Sequence, residues 1–320
     1  MTTALVTGAT GMVGSALVRR LVDDGVDVVA LVLDTDPQSE LYRSGLVNST
    51  TVVNGGLEDL PCLERAIALH EPDTVYHLGA QTIVGAAHRA PVATLEANVR
   101  GTWNVLEAAR RHPDVVQAIV IASSDKAYGT TDELPYTEAH ALGGTEPYEV
   151  SKAAADLIAQ MYAHAYGVPL AIARCGNIFG PGDLNWSRIV PGTIRSLLRD
   201  QQPVLRSDGT FVRDYLHVDD VVTAYTSLAA ALEDGSIATG EGWNFSDESP
   251  RTVMEIYEAT CRAVGMPGVA PLVLDRAPGE IHDQWLSSAK ARERLGWTTA
   301  VGLEDGLHTT VAWYRSFLAS

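Results

Sequence analysis

The chain has 320 residues, 46 % of them hydrophobic, and carries 23 Lys and Arg against 40 Asp and Glu, a net charge of -17. That hydrophobic share excludes a disordered chain, and the acidity excludes a nucleic-acid binder, which needs a basic surface against the phosphates. No apolar run reaches the ~18 residues of a membrane span. The three cysteines, Cys62, Cys175 and Cys261, have neither metal-ligand nor disulfide spacing. The reading is therefore a protein without a bound metal, in a reducing cytoplasm.

The N-terminus enters a strand directly, over 4–7, with no basic segment and apolar stretch of a signal peptide before it. Further apolar strands are predicted over 27–32, 51–53, 74–78, 118–122 and 170–174. Between them, amphipathic periodicity predicts helices over 14–24, 60–70, 95–111 and 148–166. Alternating apolar strands and helices imply a doubly wound α/β parallel sheet covered on both faces, with ligands bound beyond the carboxyl ends of the strands. The second half is less regular. Helices are expected over 218–233, 251–264, 288–295 and 304–317, and a strand over 243–246. This organises the chain as a first domain over 1–175 and a smaller mixed α/β lobe over 176–320, partly interleaved with the first.

The first strand runs into Gly8-Ala9-Thr10-Gly11-Met12-Val13-Gly14, which opens the first helix. Glycines let a backbone turn sharply and approach a pyrophosphate, and a helix N-terminus presents free N–H groups to it. A glycine-rich turn between a strand and a helix makes the first domain a dinucleotide-binding (Rossmann) unit, with Gly8, Thr10, Gly11, Met12, Val13 and Gly14 at the cofactor. The second strand ends at Asp34, about twenty residues on, where an acid can bind a ribose 2′-OH and would repel a 2′-phosphate. NAD is therefore expected rather than NADP. The alternative is that Asp34 and Asp36 only solubilise a turn before Pro37.

Two further segments carry the chemistry: Ser123-Ser124-Asp125-Lys126, at the end of the fifth strand, and Tyr148-Glu149-Val150-Ser151-Lys152. Tyr148 and Lys152 are four residues apart, one turn along one helix face. A nearby ammonium favours phenolate and lowers the tyrosine pKa from ~10. With Ser124 on the same oxygen, the set suits removal of an alcohol proton as hydride leaves the carbon. Taken alone, a Tyr-x-x-x-Lys pair also arises by chance on any helix.

Taken together, these motifs resemble those of the extended short-chain dehydrogenase/reductases, and within them the nucleotide-sugar epimerases and dehydratases. The likeness runs nearly end to end. It extends to Val75-Tyr76-His77-Leu78-Gly79-Ala80, Asn98-Val99-Arg100-Gly101-Thr102, Arg174-Cys175-Gly176-Asn177-Ile178-Phe179-Gly180-Pro181-Gly182 and Val212-Arg213-Asp214-Tyr215-Leu216-His217-Val218-Asp219-Asp220. The resemblance implies that Leu57, Leu78, Gly79 and Ala80 line the cofactor and that Asn98 holds the neighbouring loop. It makes Ser124, Tyr148 and Lys152 catalytic, the last two also touching cofactor. It gives Gln81, Asn177, Arg188, Arg213 and Arg276 to a nucleotide-diphospho-sugar substrate. Arg213 could instead pair with Asp214 or Asp219. The family often has Gly-Asp after the third strand, and Gly55-Gly56-Leu57 departs from this. Relatives commonly form homodimers through two helices per subunit, here 95–111 and 148–166. On the second helix Ala154, Ile158 and Tyr162 form a stripe that is either core or interface.

Asp125-Lys126 points to a reaction within this family. Epimerases usually carry small or apolar residues there, whereas dehydratases carry an acid. Together with the segment from Gly182 to Pro191, the pair looks closest to CDP-glucose 4,6-dehydratase-like proteins. A 4,6-dehydratase needs an acid for the C6 hydroxyl, here Asp125, and a base or positive charge near C5, here Lys126. The alternatives are an ordinary Asp125–Lys126 salt bridge in a C4 epimerase or uronate decarboxylase, or a regulatory protein that binds NAD without turnover.

Overall fold

The computed structural model describes residues 1–276 and 280–319. Its first half runs β1 (Thr3–Thr7), α1 (Met12–Asp23), β2 (Asp27–Val32), α2 (Glu40–Arg43), β3 (Thr51–Asn54), α3 (Leu60–His70), β4 (Thr74–His77), α4 (Val84–Arg89), α5 (Pro91–Leu95), α6 (Gly101–Arg110), β5 (Ala118–Ser124), α7 (Pro147–Tyr166) and β6 (Leu170–Cys175). The second half adds β7 (Asn177–Phe179), α8 (Ile189–Leu198), β8 (Val204–Leu205), β9 (Val212–Arg213), β10 (Tyr215–His217) and α9 (Val218–Glu233). It closes with β11 (Gly242–Phe245), β12 (Arg251–Thr252), α10 (Val253–Val264), β13 (Leu272–Val273), β14 (Asp283–Gln284), α11 (Ala289–Leu295) and α12 (Leu303–Ala319).

Seven parallel strands form the main sheet, in the order β11-β6-β5-β4-β1-β2-β3. The strands are continuous apolar runs because both of their faces are covered. Leu17 and Leu21 of α1 pack on one face with Leu228 of α9 and Trp243 of β11. Ile67 of α3, Leu106 of α6 and Ala159 of α7 pack on the other. Each buried leucine or isoleucine contributes about 1.5–3 kcal/mol relative to exposure. The chain leaves β1 toward β2 and β3, then returns to the opposite side for β4, β5 and β6. A crevice opens where the direction reverses, at the carboxyl ends of β1 and β4.

Two features refine what periodicity predicts. The helix expected over 95–111 is broken by a π-helical turn, Glu96–Arg100, between α5 and α6; such turns re-aim a side chain within a helix, here Asn98. Helix α7 begins with a reciprocal cap between Glu146 and Glu149 and with Pro147 in its first turn, and Gly167 ends it in the left-handed conformation. Its outward stripe is Val150, Leu157 and Met161, while Ile158 and Tyr162 pack against the core.

The second lobe gathers α8, α10 and α12 around Ile194, Ile256 and Tyr314. It is tied to the first by its last helix: Trp313 of α12 donates to Glu40 of α2 at 3.0 Å, while Tyr314 donates within the lobe to the carbonyl of Asp183.

Candidate active site

The carboxyl ends of β1, β4, β5 and β6 open into a cleft of about 1070 Å³, at the upper end for a small-molecule site. Its floor at β1 is the glycine turn. Gly8 has φ +71°, and a Cβ there would lie 2.7 Å from the Gly79 nitrogen; a Cβ on Gly14 would lie 2.0 Å from the Gly8 carbonyl oxygen. The turn therefore closes to backbone contact on two sides. Gly11 precedes α1 and offers no side-chain cap, so the first N–H groups of the helix remain available to an anion. These features fit a dinucleotide pyrophosphate. Gly14→Ala must open the turn, and it is expected to weaken NAD binding about tenfold or more, read by fluorescence titration, because overpacking costs about 1–3 kcal/mol.

The neighbouring wall is held from behind. Thr7 bonds His77, which bonds Thr102, and the Thr7 hydroxyl accepts the Gly79 N–H at 3.0 Å. Burial, followed by the charge of Lys152, pushes the His77 imidazole down to about 3 and keeps it neutral. Asn98 accepts the Gln81 N–H at 2.7 Å and donates to the Gln81 carbonyl and to Ser151, whose hydroxyl donates to the Tyr148 carbonyl. The π-helical turn thus fastens the loop after β4 to the helix bearing Tyr148.

Ser124, Asp125, Lys126, Tyr148 and Lys152 all line the cleft. Ser124 caps the short 3-10 turn Asp125–Tyr128 by accepting the Lys126 N–H, and donates to Asp125 at 2.8 Å. Asp125 is buried, and its Oδ2 has no hydrogen-bond partner. Among the described residues Asp125 and Lys126 form no ion pair, so the loop salt bridge is absent. Lys152 donates to the Ala122 carbonyl at 2.9 Å, and burial pushes its ammonium down to about 8. Burial likewise pushes the Tyr148 phenol up, to about 12, against the Arg188 charge and the hydrogen bond with Ser124. The lowering expected from Lys152 is not found: desolvation of the phenolate dominates, and the cation that opposes it is Arg188 rather than Lys152.

Other predicted residues divide. Thr10, Met12, Val13, Leu78, Gly79, Ala80, Asn177, Arg188 and Arg213 line the cleft. The Asn177 amide nitrogen is buried without a partner. The Arg213 guanidinium is buried and donates to the carbonyls of Val212, Ile281 and His282; it pairs with neither Asp214 nor Asp219. Arg188 pairs with Asp183 at 3.2 Å. Leu57 is not among the lining residues and packs behind Gly79 and Gly101. Gln81 turns its amide onto Ile83. Asp34 and Arg276 are exposed and lie outside the described lining. Asp36 lines the cleft in place of Asp34. Sequence reasoning passed over Trp186, which also lines the cleft with Arg195 4.7 Å over its ring; an indole in a glycine- and proline-rich loop is the signal that could have marked it.

The sequence model of the family described as GDP-mannose 4,6 dehydratase matches residues 5–310. The chain belongs to this family. Within it, the chain is 31 % identical to a CDP-glucose 4,6-dehydratase of Salmonella typhimurium, over 98 % of this chain and 90 % of that one. Its fold is similar to a dTDP-glucose 4,6-dehydratase of Streptomyces venezuelae with NAD and TYD bound, at TM-score 0.88 and 28 % identity, covering 98 % and 97 % of the two chains. A UDP-glucose 4-epimerase of Thermotoga maritima with UDP-glucose is similar at TM-score 0.90 and 27 % identity, covering 99 % and 100 %. Family membership and the geometry of the cleft agree on a dinucleotide beside a second ligand.

Proposed function

We propose that this protein is an NAD-dependent dehydratase that converts a nucleotide-diphospho-hexose to its 4-keto-6-deoxy sugar. The observation that carries this reading is Asp125, buried at the cleft with an unpaired carboxylate oxygen and no ion pair to Lys126. Epimerisation at C4 uses only the set of Ser124, Tyr148 and Lys152, whereas dehydration needs one more acid and one more base.

When bound, NAD supplies the acceptor that takes hydrogen as hydride from C4 and returns it at C6. Tyr148 takes the proton of the C4 hydroxyl while Ser124 bonds the same oxygen. The ketone formed at C4 acidifies the C5 proton. Lys126, whose ammonium burial pushes below its ordinary value, accepts that proton. Asp125 gives a proton to the C6 oxygen, the C6–O bond breaks and water leaves. The proton gained by Tyr148 balances the one given by Asp125, and Lys126 returns its proton to C5. Asn177, with its unpartnered amide, and Arg213 and Arg188 are assigned to the sugar and diphosphate.

The reading includes a homodimer in the cytoplasm. Its support is the unpartnered apolar stripe Val150, Leu157 and Met161 on α7, beside Val92 and Leu95 of α5 and Trp103 of α6. Among the described residues no helix is long and apolar enough to cross a membrane.

Purified protein incubated with CDP-, dTDP-, GDP- and UDP-hexoses is expected to give one product lighter by a water, detected by mass spectrometry, without net NADH. Products of unchanged mass throughout would mean the second reading, a C4 epimerase, which the similarity to the Thermotoga maritima enzyme favours. Asp125→Asn and Lys126→Ala should each abolish water loss in a dehydratase, and an epimerase should tolerate at least one of them.

A further inference from the structure

Strand register brings a second carboxyl to Asp125. Ser124 and Cys175 are the last partners of β5 and β6, and Asp125 and Gly176 follow directly on them. Asn177 and Tyr215 are the first partners of β7 and β10, which sets Gly176 beside Asp214 on its other flank. Gly176 is the gap between the two acids. A Cβ there would fall 2.2 Å from Asp214 Oδ1 and 2.7 Å from its Cγ, so the carboxyl of Asp214 occupies the space a side chain would fill.

Both acids are buried, Asp125 at 3 % and Asp214 at 1 % exposure. Each has one satisfied oxygen: Asp125 Oδ1 accepts from the Ser124 hydroxyl at 2.8 Å, and Asp214 Oδ2 accepts the Leu286 N–H at 3.2 Å. The remaining oxygen of each, Asp125 Oδ2 and Asp214 Oδ1, is buried without a partner. Two buried carboxylates cannot both stay charged in such a place, and a proton held between them answers both orphaned oxygens.

We infer that Asp125 and Asp214 share one proton, and that Asp214, behind the cleft wall, is the positioning residue that keeps Asp125 able to act as the C6 acid. This rests on the dehydratase reading. When Asp125 gives its proton to the C6 oxygen and the C6–O bond breaks, the pair is left doubly charged. The proton carried by Tyr148 from the C4 hydroxyl restores it. Burial, and next the charge of Asp125, raise Asp214 to about 7, against hydrogen bonds from the Ser246 side chain and the Leu286 N–H. Cys175 and Asp247 also face Asp214, and Tyr136, Tyr148 and Lys126 face Asp125. Of these only Lys126 can carry a positive charge, and burial works against it.

Asp214→Asn keeps an acceptor for the Leu286 N–H and removes the shared proton. It is expected to lower kcat for water loss at least tenfold at neutral pH. KM should be unchanged, and the basic limb of the kcat–pH profile, near pH 7 in the wild type, should move to lower pH. A wild-type pH profile in Asp214→Asn would overturn the inference. Should Asp214→Asn fail to fold, infrared titration decides: wild-type protein should show a protonated carboxyl band that titrates near pH 7 and shifts in Asp125→Asn, and no such shift also overturns it. A wild-type protein that yields only isomers instead removes the dehydratase reading, a separate result.

Discussion

Tyr148→Phe is expected to lower turnover by about 10²–10⁴-fold, the usual contribution of a positioned general acid or base, while nucleotide binding changes little. The reason is specific to this site. Tyr148 is buried at the first turn of α7, and burial raises its phenol to about 12, so it holds its proton at neutral pH until the loaded cleft favours the phenolate. Without the hydroxyl, the C4 oxygen has only Ser124, whose own hydroxyl already donates to Asp125. Single-turnover absorbance at 340 nm with a competent sugar nucleotide reads the oxidation directly. Turnover within about fivefold of wild type would remove Tyr148 from the proton step.

The largest effect on stability is expected from Asp156→Ala, which leaves a guanidinium buried without its counter-charge. Asp156 on α7 takes both ends of Arg174 on β6, at 2.9 Å each, and also accepts from Ser123 and Gln160 at 2.8 Å. The Arg174 guanidinium also donates to Tyr128 and lies over its ring at 5.0 Å. Arg174 is 3 % exposed, so water cannot replace the lost partner. Breaking one side of such a pair costs about 3–5 kcal/mol, a fall in thermal midpoint on the order of 10 °C. Urea denaturation of the variant measures it, and a loss under about 1 kcal/mol would mean that the pair is better solvated than its burial indicates. Because Ser123 precedes Ser124 and Tyr128 closes the turn after Lys126, the variant should lose activity as well as stability.

Whatever follows from local periodicity was legible in the chain. The helices over 60–70 and 218–233 and the strand over 27–32 form at their predicted bounds, because each carries an uninterrupted pattern on a buried face. The glycine turn was legible because its chemistry is carried by the backbone at fixed spacing. The two-residue strands β8, β9, β12, β13 and β14 were not, since two residues carry no period and their partners are remote in the chain. Side-chain destinations also escaped. Asp34 and Asp36 differ by two positions on a turn, and only the folded loop places Asp36 at the cleft and Asp34 in solvent. Whether Ile158 and Tyr162 of α7 face core or interface is a related case: they find core partners, which helix periodicity alone cannot reveal. The Tyr148 phenol moved opposite to expectation because spacing conveys the nearness of an ammonium but not the depth of burial.

The order of the main sheet also bears on how the chain is made. Strand β6 ends at Cys175, and its outer neighbour β11 begins only at Gly242. At ribosomal rates of about 5–20 residues per second, the intervening stretch takes on the order of 3–13 s to synthesise. During that interval a nascent chain has six strands of its sheet and an open, apolar edge at Leu170–Cys175, and α9, which packs against α1, is completed only late in it. Open edges of this kind recruit other strands. Crowded translation or slow codons between residues 175 and 242 therefore lengthen the period in which this protein is most exposed to aggregation and most in need of a chaperone.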